Sequence, residues 1–280
     1  MVRLKPFSIC FVLISWLSVQ AFSADLVVNT QYAGVHRSSS TESEQLTQVI
    51  YGDLVVSCSE AVDGWIFIKI PYQKDFTNGD STFYQGWIQT RFLAQYPKGI
   101  KISEWKSKSV ILAALDNGLF VDCYSGSDMR VSVHPRIPEG AILPSVGHTV
   151  NASQLILPDG KNIWVDRRSI QPILKARDGA FSRRFIRHAL KYFGKPYIWG
   201  GTAWPGVDCS GLVYCASRAA GLLIPRDTGP QAKLLDVIRY SMLKPGDIYL
   251  FSRPSEANYH VAVFLGGQKW VHSGRGGVQY

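Results

Sequence analysis

The sequence predicts an α+β protein in which two small all-β units precede a unit of helices and an antiparallel sheet. Three observations predict this order. Short β-rich runs separated by turn signals fill residues 25–174, the hydrophobic period changes from two to about 3.6 near Lys175, and strand-like runs return after residue 247. Helices that come first, with strands after them, are typical of an α+β unit.

The composition describes a chain that can bury a substantial core. Its 280 residues are 46% hydrophobic, 12% aromatic and 18% charged, which excludes a disordered, collagen-like or coiled-coil protein. The 25 glycines and 14 prolines favour many turns. At roughly 100 to 200 residues per domain, the length allows one large domain or two to three small ones.

Residues 1–24 are predicted to be a secretory signal peptide. Arg3 and Lys5 precede an apolar run over 7–17, and small residues follow it. The run is shorter than the roughly 20 residues that span a bilayer, so an uncleaved anchor is the less favoured alternative. No later segment is apolar enough to span. The mature chain is therefore expected to be exported to the periplasm or cell envelope, without a membrane span.

Residues 25–98 are predicted to form the first β unit. Turn signals at Gly52 and at Asp63-Gly64 separate apolar runs, and Asp-Gly before the run 65–70 is a strong hairpin signal. About five strands in so short a stretch predict a small barrel.

Residues 99–176 repeat this character and are predicted to form a second β unit. Apolar runs occupy 110–114 and 118–123, and a hairpin signal at Asp159-Gly160 precedes another run at 163–165.

Residues 177–280 form the third predicted unit. Apolar residues recur with helical spacing over 185–193, and Gly194 ends this helix. A second helix is predicted to begin at Cys209 and to stop at Gly221. The strand-like runs that follow are 247–251, 260–265 and 269–272.

The excess of positive charge in the mature chain lies in the third unit. Residues 25–175 hold 14 basic and 15 acidic residues, whereas residues 176–280 hold 14 basic and 6 acidic residues, a net charge of +8. A basic unit suits an anionic polymer or substrate and could also suit nucleic acid. Because the sequence has no nucleic-acid motif and carries an export signal, no nucleic-acid partner is predicted.

The four cysteines after the predicted signal peptide show no metal-binding pattern. None of Cys58, Cys123, Cys209 and Cys215 forms a CxxC pair, so a structural zinc site has little support. A disulfide between Cys58 and Cys123 is possible in an oxidising compartment, although isolated cysteines on apolar strands are more often buried and inert.

Cys209 is the candidate nucleophile, because a thiolate at a helix N-terminus is stabilised by the free backbone N–H groups. Such a terminus and a neighbouring imidazolium can lower a thiol pKa to about 3.5–7.5. His260 begins one apolar strand and His272 ends the next, so the two imidazoles are predicted to be neighbours, as a base and its orienting group. A metal site built from these three side chains lacks a fourth ligand. No metal and no cofactor are predicted.

Six short motifs in the third unit occur in one order over roughly 178–278. They are Pro196-Tyr197-Ile198-Trp199-Gly200-Gly201, Asp208-Cys209-Ser210-Gly211, Pro225-Arg226-Asp227-Thr228 with Gln231, Leu243-Lys244-Pro245-Gly246-Asp247, Tyr259-His260-Val261-Ala262 and Val271-His272-Ser273. Together they resemble the NlpC-type cell-wall peptidases. The two β units, on weaker motifs such as Gly86-Trp87-Ile88, resemble the bacterial SH3-like barrels that often precede such domains.

The resemblance implies a papain-like fold with Cys209 as nucleophile, His260 as general base and acid, and His272 as the third polar residue. Within the family, barrels before a peptidase most resemble the γ-D-glutamyl-diaminopimelate endopeptidases, which implies peptidoglycan stem peptides or muropeptides as substrates. Only eight residues follow His272, so the family's terminal strand is expected to be short or missing.

The same resemblance implies which residues hold L-Ala-γ-D-Glu. Five of them lie in the third unit: Tyr197, Trp199, Asp208, Ser210 and Thr228. Glu44 and Tyr84 of the first β unit would close the pocket, with a solvated loop charge as the alternative interpretation of Glu44. Aromatic packing is the alternative for Tyr197.

Two rival functions come from other classes. SH3-like modules often bind walls, so a peptidase fold could persist as a non-catalytic wall-binding protein, but intact Cys209, His260 and His272 argue against that. Papain-like folds of similar layout can also transfer acyl groups to lipids. Export and the two barrels make such an acyltransferase less favoured.

Overall fold

The computed structural model describes residues 25–75, 82–95 and 102–280. The predicted signal peptide lies outside the described residues, and so does the predicted boundary between the two β units at residues 98 and 99. No helix within the described ranges is long and apolar enough to cross a membrane.

The first β unit is an antiparallel sheet of seven strands in the order β3-β2-β6-β5-β4-β1-β7. Its buried aliphatic side chains alternate along the strands and meet in one core, which includes Val35, Ile68 and Ile88. The strands are β1 (Asp25–Val28), β2 (Tyr32–His36), β3 (Gln45–Ile50), β4 (Leu54–Ser57), β5 (Trp65–Asp75), β6 (Thr82–Gln89) and β7 (Leu93–Gln95).

The second β unit starts with a short helix and has a second antiparallel sheet, in the order β10-β9-β13-β12-β11-β8-β14. Its core also contains Val27, Tyr51 and Leu54 of the first unit, so the two units share buried apolar surface. The elements are α1 (Ile102–Lys108), β8 (Ser109–Leu112), β9 (Phe120–Tyr124), β10 (Ser132–Pro138), β11 (Ile142–His148), β12 (Ala152–Ile156), β13 (Asn162–Asp166) and β14 (Ile170–Gln171).

The two sheets repeat one topology. Counted from the first strand of each, both follow the order 3-2-6-5-4-1-7, and a one-turn 3₁₀ helix precedes the last strand in each, at Thr90–Phe92 and at Arg167–Ser169. Each unit therefore has seven strands where the sequence of the first predicted about five. The two extra strands, β1 and β7, are short and pair with each other at the ends of the unit.

The third unit packs helices on a four-stranded antiparallel sheet in the order β17-β18-β19-β20. Its core joins aliphatic residues of α3 to Val261, Val263 and Val271 of the sheet. The elements are α2 (Phe181–Leu190), β15 (Thr202–Ala203), β16 (Gly206–Val207), α3 (Cys209–Ala219), α4 (Thr228–Ala232), β17 (Ile248–Arg253), β18 (Glu256–Gly266), β19 (Lys269–Gly274) and β20 (Gly277–Gln279).

The terminal strand is short, as expected, and it is present. β20 pairs with β19, and Val278 exchanges backbone hydrogen bonds with Gly194 and Lys195 at 2.8 Å. These bonds fix the start of the loop that carries Tyr197 and Trp199.

A buried arginine joins all three units. Arg218 of α3 is 2% exposed; its guanidinium forms an ion pair with Asp53 of the first unit and donates to the carbonyl of Gly140 in the second unit at 2.6 Å. A second buried joint links the second unit to α2, where Glu139 accepts hydrogen bonds from Lys191 at 2.5 Å and pairs with His188 at 2.9 Å. Buried polar contacts therefore join the three units.

Arg218→Ala is expected to destabilise the chain by about 3–5 kcal/mol, because it leaves the buried Asp53 carboxylate without its counterion. Urea denaturation of the whole chain measures this loss. The double variant Asp53→Asn with Arg218→Met removes both charges and should recover most of the stability. A loss below about 1 kcal/mol in the single variant, the level of an exposed pair, would contradict a structural role for the pair.

Candidate active site

Cys209 is the first residue of α3, as the sequence predicts. Asp208 precedes it in an extended conformation and caps the helix by accepting the N–H of Gly211 at 2.7 Å. A side chain at Gly211 would overlap the carbonyl oxygen of Gly201, so glycine is required where the first turn of α3 meets the preceding loop. These contacts fix the direction in which the thiol points.

The Cys209 thiol lies among hydrogen-bond donors from three elements. The Thr228 hydroxyl at the start of α4 and the backbone N–H groups of Ser210 and Val261 all interact with the sulfur. Since Val261 follows His260 in the middle of β18, these contacts bring the nucleophile close to the strand that carries the base. The described cysteines are all free, with Cys58 exposed, so the bridge from Cys58 to Cys123 that the sequence left open is not formed.

His260 and His272 lie on one face of the sheet. The register pairs Val263 with Val271, which places the two histidines diagonally across β18 and β19. His260 Nε2 and His272 Nδ1 are 3.1 Å apart, and the rings meet edge to face. The predicted neighbours therefore meet, and the contact leaves Nδ1 of His260 as the nitrogen that can face the thiol.

The protonation of this pair differs from the prediction. Burial, with the negative charge of Asp208, raises the pKa of the Cys209 thiol, and the N–H donors around the sulfur oppose this effect. Burial and the neighbouring His272 lower the pKa of His260. The expectation of an acidic thiol is therefore wrong, because a sequence pattern places the helix terminus but not the packing around it. At neutral pH the site holds a thiol and a neutral imidazole.

Asp208 has a charged partner that the sequence interpretation did not assign. Arg226 is 2% exposed and donates from both terminal nitrogens to the Asp208 carboxylate, at 3.1 and 2.5 Å. The same guanidinium donates to the Ser210 hydroxyl at 2.9 Å and to Asp227 at 3.0 Å. Asp208 and Ser210 thus lie in the site, but their polar atoms are engaged within the protein.

Glu44 and Tyr84 of the first unit form hydrogen bonds with the third unit. The Trp199 indole donates to Glu44 at 3.1 Å, and the Tyr84 hydroxyl donates to Asp227 at 2.5 Å. Hydrogen bonds from Arg37 and Trp199 lower the pKa of Glu44, which keeps its carboxylate charged. Glu44 is therefore an exposed carboxylate with a defined position at the mouth of the site.

The loop that holds Trp199 lies directly against β3. Gln45 donates to the Trp199 carbonyl at 2.8 Å, and a side chain at Gly200, whose φ is +71°, would approach the Gln45 carbonyl oxygen to 2.8 Å. Tyr197 in the same loop is half-buried. Burial and the negative charge of Asp208 raise the pKa of Tyr197 to about 12, so its phenol stays protonated as a hydrogen-bond donor near the thiol.

Sequence reasoning did not assign roles to Arg226 and Asp227. Both stand in the motif that was singled out, directly before Thr228. The sequence shows an Arg-Asp pair directly before a short helix, but it does not show which carboxylate Arg226 binds. In the structure this carboxylate belongs to Asp208.

Residues 194–280 match the NlpC/P60 family model. Among curated proteins, the chain is similar to two proteins named γ-D-glutamyl-L-lysine dipeptidyl-peptidase. The Bacillus cereus protein is 30% identical over 48% of this chain, a match that spans 41% of that protein's length. The Bacillus subtilis protein is 26% identical over 85% of this chain and 75% of its own.

A solved structure shares the fold over nearly the whole chain. A crystal structure of an NlpC/P60 family protein from Bacillus cereus superposes with a TM-score of 0.73, covers 91% of this chain and 93% of that chain, and is 19% identical. At that identity the likeness shows the fold alone. The predicted resemblance is confirmed at this level: residues 194–280 match the NlpC/P60 family, and the similar proteins are named peptidases.

The Cys209 thiol is expected to be alkylated with a pH midpoint above the ordinary thiol value of about 8.5. Only the thiolate reacts, and a raised pKa moves its formation to higher pH. Iodoacetamide labelling at a series of pH values, followed by mass spectrometry of the peptide that contains Cys209, measures the midpoint. The exposed Cys58 in the same samples is the internal control. A midpoint near pH 6 would instead indicate a preformed thiolate and imidazolium pair.

Proposed function

We propose that this protein is an exported cysteine peptidase that hydrolyses peptidoglycan stem peptides at the bond between γ-D-Glu and the diamino acid, in L-Ala-γ-D-Glu-diaminopimelate. The observation that carries the proposal is one continuous set of contacts. Cys209, His260 and His272 meet beside the middle of β18, and Glu44 and Tyr84 of the first β unit contact Trp199 and Asp227 of the third unit.

In the proposed mechanism His260 removes the thiol proton as Cys209 attacks the γ-carbonyl of D-Glu. A neutral imidazole is the form that can accept this proton. The imidazolium then protonates the leaving amine of the diamino acid, and water hydrolyses the thioester with His260 again as base. His272 holds His260 Nε2, which directs Nδ1 to these proton transfers.

The oxyanion of the tetrahedral intermediate requires donors near the sulfur. We assign this role to the backbone N–H of Cys209 at the start of α3, where helical N–H groups have no partner within the helix. In comparable sites such a donor is worth about 2.7–4 kcal/mol. Tyr197, with its protonated phenol close to the thiol, is a second candidate donor.

The closed end of the site is the end where Glu44 and Tyr84 meet the third unit. It favours a substrate with a free amine. Among the described residues that meet there, the carboxylates of Asp208, Asp227 and Glu44 face the guanidinium groups of Arg226 and Arg37. Three negative and two positive charges leave one negative charge in excess. The ammonium of an N-terminal L-Ala would balance it, whereas the acylated amine of an intact wall would not.

We also propose that the two β units are SH3-like barrels and that the third unit has a papain-like arrangement. The repeated strand order with a 3₁₀ turn before the last strand supports the first assignment. The cysteine at a helix start, next to histidines on an antiparallel sheet, supports the second. The domains then divide at 25–98, 99–176 and 177–280.

Cys209→Ala is expected to abolish cleavage and to leave the fold intact, because the thiol is the only proposed nucleophile. His260→Ala should cost about 10²–10⁴-fold, the usual worth of general acid–base catalysis. His272→Ala should cost less, because water can partly replace an orienting group. Mass spectrometry of diaminopimelate-type muropeptides after incubation measures cleavage. Turnover that survives in Cys209→Ala would refute the cysteine-peptidase assignment.

L-Ala-γ-D-Glu-diaminopimelate is expected to be cleaved much faster than the same peptide acetylated at its amine. Glu44→Gln keeps an acceptor for Trp199 but removes the charge, and should lower kcat/KM for the free-amine peptide by about 10- to 150-fold. Glu42→Gln, an exposed change in the same loop, is the matched control. Equal rates on the free and acetylated peptides would refute amine recognition.

A further inference from the structure

An aromatic strip extends from the candidate base along the same face of the sheet. The register of β17 and β18 pairs Phe251 with His260 and Tyr249 with Ala262, so these side chains share the face of the two histidines. The Phe251 ring centroid lies 5.4 Å from that of His260, and the Tyr249 centroid lies 4.8 Å from that of Phe251. Trp270 continues the strip, 5.4 Å from Tyr249.

The strip is open, unlike the opposite face of the same strands. Val261, Val263 and Val271 point into the core and are 0% exposed, whereas Tyr249 and Phe251 are 40% and 36% exposed. A contiguous exposed apolar surface of this kind is a candidate site for a ligand or partner. Because these rings adjoin His260, the substrate is the expected occupant of the strip.

The strip and the start of the loop with Tyr197 and Trp199 lie toward opposite edges of the sheet. The loop with Tyr197 and Trp199 starts at Lys195, which is bonded to β20. β20 and β17 are the two edges of the sheet, and His272 and His260 lie on the strands between them. A substrate with its amine at the closed end therefore extends across His260 toward β17.

We propose that Phe251 and Tyr249 bind the hydrocarbon side chain of the diamino acid that leaves. This inference rests on the proposed function, in which His260 protonates the leaving amine. The atoms bonded to that amine must then lie beside His260, where Phe251 is the next side chain. Three or four methylene groups of diaminopimelate or lysine are long enough to lie along two adjacent rings that meet edge to face, and a glycine in that position has nothing to place there.

The strip contacts the methylene groups of the diamino acid side chain and not its terminal group. Binding therefore depends on the length and apolar surface of that side chain. It therefore favours diaminopimelate and lysine alike over glycine. Three methylenes that each bury about half their surface on the rings correspond to about a 5- to 20-fold gain in kcat/KM.

Three peptides test the proposal: L-Ala-γ-D-Glu followed by diaminopimelate, by L-Lys or by Gly. The wild type should cleave the first two about 5- to 20-fold faster than the third, measured as kcat/KM. Phe251→Ala should reduce this ratio to about one or two, and Phe251→Leu should retain most of it. Tyr240→Ala, which removes an exposed aromatic ring outside the strip, is the control and should keep the wild-type ratio.

The ratio separates binding from a structural effect on His260, because a displaced base would slow all three peptides equally. A wild-type ratio near one, or an unchanged ratio in Phe251→Ala, would overturn the inference while cleavage itself supports the proposed function. Cleavage of none of the three peptides by the wild type would refute the proposed function instead.

Discussion

The buried pair of Arg226 and Asp208 is the interaction on which the rest of the site depends. Asp208 caps the helix of the nucleophile and accepts the N–H of Gly200 at 3.0 Å, so it ties α3 to the loop of Trp199. Arg226 connects the same carboxylate to Asp227 and, at 3.3 Å, to Thr47 of β3. Removing one partner of such a pair typically costs about 3–5 kcal/mol, because the other charge stays buried. The pair therefore connects the helix of the nucleophile, the loop of Trp199 and the first β unit to one another.

Buried ion pairs also join the units at two other places. Arg218 meets Asp53 and the Gly140 carbonyl, and Lys191 meets Glu139, in both cases between units and away from solvent. Apolar contact alone would tolerate small shifts between units, whereas a bidentate ion pair requires one geometry. This matters because Glu44 and Tyr84 contact Trp199 and Asp227 across a boundary between units.

Local patterns predicted the parts of the site that depend on local geometry. The start of α3 at Cys209 follows from the helical spacing of apolar residues between Cys209 and Gly221, and the meeting of His260 with His272 follows from alternation along adjacent strands. The places of Glu44 and Tyr84 came from a family resemblance, since no pattern within the chain relates residue 44 to residue 199. The thiol pKa was predicted in the wrong direction because burial depends on all the units. Phe251 was not recognised, because an exposed aromatic residue in a strand has the same sequence pattern as a buried one.

The raised thiol pKa is consistent with a peptidase that needs its substrate to complete the charge balance. Asp208 contributes to raising the pKa of Cys209, and the carboxylates at the closed end exceed the guanidinium groups by one charge. An ammonium bound among them opposes the field of Asp208 at the sulfur and so favours the thiolate, by the rule that a nearby positive charge stabilises an anion. On the proposed function, the group that identifies the substrate thus also lowers the cost of the first proton transfer. An acylated peptide forgoes both effects, so discrimination against it acts on the chemical step as well as on binding.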